Sequence, residues 1–161
     1  MTRVLAGLVA TTLTFGSSVL TRAHQSKALY VVVSDATEMR GAFQPDDHPL
    51  DVPNTTARLM VRLMQKDVRL ADGKIVSGFG FEGWTEGEGV RLVVSALLPR
   101  DGSNRYVETP RGRRPSFRKE EFARFVLKPG DKRSIDEMKA LGIDPMVVRL
   151  DTKSPFPDRH D

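Results

Sequence analysis

Val68-Arg69-Leu70-Ala71-Asp72-Gly73-Lys74-Ile75-Val76-Ser77-Gly78-Phe79-Gly80-Phe81 reads as two apolar runs joined by a turn. Asp-Gly favours a two-residue type I′ turn, in which both central residues take positive φ. With Asp72-Gly73 as that turn, Leu70 stands opposite Ile75 and Val68 opposite Ser77. Val68, Leu70, Ile75, Ser77, Phe79 and Phe81 then share one mostly apolar face. A slip of one residue would scatter them over both faces. The stretch predicts an antiparallel hairpin.

Upstream, Ala57–Met64 alternates. Ala57, Leu59, Val61 and Leu63 share one face, and Arg58, Met60, Arg62 and Met64 the other. Period two of this kind is a strand with one covered face. Leu29–Val33 is apolar on both faces and fits a buried strand. Between them, Ser34–Thr56 carries Pro45, Pro49 and Pro53 with no period, and is expected as a long loop, functional or mobile. Downstream, Val90–Leu98 is apolar on both sides and predicts a central strand ended by Pro99. Arg100–Asn104 is a turn cluster. Phe122–Leu127 fits helix or strand, and its β-branched and aromatic content favours strand. Ser134-Ile135-Asp136-Glu137 has the form of a capping box, with Ser134 as N-cap and Glu137 at N3. Ile135, Met138 and Leu141 give an apolar stripe, and Gly142 supplies a left-handed C′ position. Met146–Leu150 is the last predicted strand.

Short strands, hairpins and one brief helix predict an all-β fold: an antiparallel β-sandwich, immunoglobulin-like, with one short helix near the C-terminus. Phe122–Leu150, in the order strand, Pro-Gly turn, short helix, strand, resembles the E-to-F corner of immunoglobulin-like sandwiches. The cysteine pair of immunoglobulin domains is missing.

The chain has 161 residues, 39% of them hydrophobic, which suits one globular domain. It has no cysteine, so disulfides, thiolate metal sites and a cysteine nucleophile are excluded. Arg3, the uncharged run Val4–Leu20 and Thr21-Arg22-Ala23 have the form of a signal peptide cleaved after Ala23. The run is too short and too rich in hydroxyls for a membrane span. The expected organisation is residues 1–23 as signal peptide, 24–151 as a single domain and 152–161 as a loose tail. Cleavage would remove Arg3 and Arg22 and so lower the net charge of +4 by two. The expected location is periplasmic or extracellular, with no transmembrane anchor after processing.

Three candidate sites follow. Gly78-Phe79-Gly80-Phe81-Glu82-Gly83 spells a dinucleotide-binding pattern, but no helix follows to hold a phosphate. It is expected instead as a glycine-rich hairpin end with close backbone packing. Trp84, the single tryptophan, sits among Glu82, Glu86 and Glu88, and such a grouping can stack on and hydrogen-bond a sugar. Arg111, Arg113 and Arg114, followed by Arg118 and Lys119, form a basic segment kept irregular by Gly112 and Pro115. It suits an anionic glycan, lipid head groups or an acidic protein face. No aromatic ladder supports nucleic acid.

Only three histidines are present. Cleavage after Ala23 would make His24 the mature N-terminus. An α-amine and a ring nitrogen there, with His48 or His160 as second ligand, could hold copper. This resembles the copper-brace arrangement of secreted β-sandwich copper carriers and lytic polysaccharide monooxygenases. The leading expectation is an exported, non-enzymatic binding module, without metal or cofactor, for a protein or a cell-envelope or extracellular glycan. The alternative is copper binding.

Overall fold

The computed structural model describes residues 28–38, 40–47, 59–100 and 104–156. The expected signal peptide (residues 1–23), Ala57, Arg58 and all three histidines lie outside the described residues. The fold is all-β, built of antiparallel sheets. Its strands are β1 (Tyr30–Ser34), β2 (Arg40–Phe43), β3 (Met60–Arg69), β4 (Ile75–Glu86), β5 (Gly89–Pro99), β6 (Tyr106–Thr109), β7 (Gly112–Pro115), β8 (Phe117–Leu127), β9 (Lys132–Ser134) and β10 (Val147–Asp151). One sheet has the order β2-β1-β10-β9 and a second β3-β4-β5-β8, while β6 and β7 form a two-stranded ribbon of their own.

Both four-stranded sheets send side chains into one buried cluster. Val31, Val33, Val148 and Leu150 come from the first, and Phe79, Phe81, Leu92, Val94 and Phe125 from the second. β5 lies between β4 and β8 and is apolar on both faces, as its sequence requires of an inner strand. β1 pairs with β10 from Tyr30↔Asp151 to Ser34↔Val147, so the first and last described strands are neighbours.

Five expectations are corrected. The β3–β4 hairpin pairs Val68 with Val76 and Arg69 with Ile75, one residue away from the expected register. Its loop has three residues, Ala71-Asp72-Gly73. The Gly73 N–H donates to the Leu70 carbonyl at 3.0 Å, and the Leu70 N–H donates to the Lys74 carbonyl at 2.8 Å. Only Gly73 takes positive φ, at 85°, so this loop spares Asp72 the left-handed strain that a type I′ turn would impose. The Asp72 carboxylate accepts the Lys74 N–H instead, at 3.0 Å.

The alternating run and the first arm of the hairpin are one strand, β3, whose register shifts between Leu63 and Val68. The Ser34–Thr56 segment is not all loop. β2 pairs with β1 there, and Asp46 forms a parallel bridge to Trp84. The basic segment is not irregular either: Gly112–Pro115 pairs with Tyr106–Thr109.

The expected capped helix is a 3-10 helix, Asp136–Leu141, with Ile135 at the N-cap and no side-chain cap. Ser134 ends β9 instead. Burial decides this. Ile135 is fully buried, and its N–H donates to the Met146 carbonyl at 2.8 Å, which fixes the direction of entry. Glu137 binds Arg133 at 2.7 Å and does not reach back to Ser134. Gly142 does take the left-handed conformation expected of it, with φ 70°.

Candidate functional site

Trp84 lies in β4 beside Arg91 of β5. On its other side Asp46 forms a parallel bridge. The Asp46 N–H donates to the Gly83 carbonyl at 2.7 Å, and the Thr85 N–H donates to the Asp46 carbonyl at 2.8 Å. The indole is only 7% exposed, so it presents no open ring face for stacking. Its Nε1 has no hydrogen-bond partner among the described residues.

The neighbouring carboxylates have internal partners. Glu82 binds Lys119 at 2.7 Å across the sheet. Glu86 takes two hydrogen bonds from Arg91, at 2.5 and 2.6 Å. These hold its carboxyl below the usual range despite some desolvation. Glu82, Trp84 and Glu86 are thus together as the sequence suggests, with both carboxylates paired to cations of the same sheet. The Gly78–Gly83 pattern lies within β4. It is therefore not a hairpin end, but a Cβ on Gly78 would lie 2.9 Å from Leu63 Cα, which is the close backbone packing expected of it.

The basic residues stand differently. β6 and β7 leave the end of β5 and return to β8 without joining either large sheet. A lone two-stranded ribbon is marginal in water, and the Arg105 side chain roots this one. Arg105 binds Asp67 of β3 through Nε and Nη2, at 2.8 and 2.5 Å. Its Nη1 donates to the Met64 carbonyl at 2.9 Å. The Ser116 N–H donates to the Arg105 carbonyl at 3.0 Å. Burial raises the Asp67 carboxyl, but Arg105 and the Ser77 hydroxyl together more than offset this and bring it below its ordinary value.

At the far end Gly112 turns the chain with φ 97°, and all four residues of β7 are exposed. Arg111 lies in the turn. Arg113 pairs with Glu108 and Arg114 with Val107, so these two arginines point to opposite faces. Arg113 covers the Tyr106 ring, 4.7 Å from its centroid. It reaches Glu108 only at 3.9 Å, a mostly exposed pair of little strength. The ribbon is an arm with cations around its tip.

A second basic grouping could not be read from the sequence. A cavity of about 700 Å³ opens where the β3–β4 turn meets the ends of β5 and β8, and Arg69, Lys74, Arg100 and Arg118 line it. Arg69 and Lys74 flank the β3–β4 turn, and the pairing of Leu98 with Arg118 brings Arg100 and Arg118 together at the neighbouring strand ends. Among the described residues, no cluster of acidic and histidine side chains could hold a metal. No protein-family model matches the chain, nor does any curated protein or solved structure.

Proposed function

We propose that this chain is an exported, non-enzymatic interaction module that engages an acidic macromolecule through the arm formed by β6 and β7. The observation that carries this reading is the exposed ribbon itself. It adds nothing to the shared core, yet it is rooted by a well-bonded arginine and displays Arg111, Arg113 and Arg114. Loops and arms held by a rigid scaffold are the usual place for binding. Two antiparallel sheets around one apolar cluster support reading that scaffold as an immunoglobulin-like sandwich. Export rests on the signal-like residues 1–23, and it makes an acidic envelope or extracellular glycan, or an acidic protein face, the suitable partner.

Two measurements test the proposal. The intact mass of the secreted form is expected to correspond to a chain beginning at His24, and a full-length chain in the membrane fraction would overturn export. The purified protein is expected to bind immobilised polygalacturonate or poly-glutamate in a salt-sensitive way. The triple variant Arg111→Gln, Arg113→Gln, Arg114→Gln should bind about tenfold more weakly, as three exposed charges at under 1 kcal/mol each would give. Unchanged binding by that variant would remove the arm as the contact. Preference for the sugar polymer or the peptide polymer decides the partner's class.

A further inference from the structure

We infer that the cleft between the β3–β4 turn and the ends of β5 and β8 binds a small ring compound bearing several sulfate or phosphate groups. Four cations surround a cavity of about 700 Å³, and no carboxylate lines it. Of the four, only Lys74 has carboxylate partners, Glu120 at 2.7 Å and Asp72 at 3.4 Å. Arg69 reaches only the Gly73 carbonyl, at 3.4 Å. Arg100 donates its Nε to the Phe117 carbonyl at 3.1 Å. Among the described residues, Arg69, Arg100 and Arg118 meet no carboxylate.

Six arginines elsewhere behave otherwise. Arg62, Arg91, Arg105, Arg124, Arg133 and Arg149 each bind an aspartate or glutamate. Arg69, Arg100 and Arg118 thus bring three guanidiniums without a carboxylate partner to one cleft, where like charges repel unless an anion joins them. A guanidinium fork matches the oxygens of sulfate or phosphate with two parallel hydrogen bonds. Ile75, Leu98 and Pro99 also line the cavity and offer an apolar wall to the face of a ring. The volume lies within the range of about 300–1,000 Å³ common to small-ligand pockets. An extended polymer has the exposed arm to lie along and needs no cavity.

The experiment is a calorimetric titration of the full chain with inositol hexasulfate, inositol hexakisphosphate and plain inositol at fixed ionic strength. One saturable site is expected for at least one of the two polyanions, with none for inositol. Binding of the sulfate ester alone, or of the phosphate ester alone, identifies the source of the oxyanion. Arg100→Gln and Arg118→Gln should each weaken binding about tenfold, through loss of charge-assisted hydrogen bonds. Arg118→Lys, which keeps the charge and loses the fork, should lie between. The triple arm variant should bind within about twofold of the parent, since its charges are outside the cleft. Equal losses in the arm and cleft variants, or no saturable binding, would overturn the inference. Because the cleft and arm are tested with different probes and different variants, failure of one leaves the other standing.

Discussion

Phe79→Ala is expected to lower the free energy of unfolding by about 3–5 kcal/mol. The ring is fully buried and meets Phe122 edge to face, with centroids 5.5 Å apart and planes at 64°. It belongs to the cluster that both large sheets share, so the cavity would open between them. Domains of this kind have only about 5–15 kcal/mol to lose. Chemical denaturation should show a much lower midpoint with an unchanged slope. A midpoint close to the parent's would mean that Phe79 is not part of the core.

Gly78→Val should cost about 3 kcal/mol or more, at the upper end for overpacking. A Cβ there would overlap the Arg62 carbonyl oxygen and lie 2.9 Å from Leu63 Cα. Both obstacles are backbone, so no rotamer change relieves them. They belong to the stretch of β3 where the register shifts, and the glycine lets that strand cross close over β4. Gly73 gives the contrast. Its neighbourhood is open and its φ is 85°, so Gly73→Ala should cost about 1–2 kcal/mol from backbone strain alone. Denaturation midpoints for the two variants check the order. Equal or reversed effects would show that β3 does not press on Gly78.

The parts that were legible in the sequence are those in which one short stretch settles its own fate. Val90–Leu98 is apolar on both faces and could only be an inner strand. Gly142 follows an apolar stripe and takes the left-handed position. Phe122–Leu127 is strand, extended back to Phe117. The misread parts depend on a partner elsewhere. Asp72-Gly73 suits loops of two or three residues equally, and only the pairing of Val68 with Val76 selects one. Ser134 lost its capping role because Met146, distant in sequence, holds Ile135. β2 has no alternation of its own and exists because β1 offers it an edge. Likewise, the contiguous arginines of the arm could be named from the sequence, whereas the four cations of the cleft are assembled by sheet register.

The pairing of β1 with β10 also constrains the order in which the molecule can be built. β3, β4 and β5 follow one another through short turns, so their contacts close small loops and can form early. β1 has no such option. Although it is the first described strand to be synthesised, its inner neighbour is the last, and the loop between them spans almost the whole domain. Until Val147–Asp151 is available, Val31 and Val33 have one open flank and the first sheet cannot close. A chain cut short before β10 would keep the local hairpins and expose a bare apolar edge, the kind of surface on which nascent chains aggregate. Closure of the first sheet thus waits for β10, which leaves β1 open on that flank until Val147–Asp151 have been made.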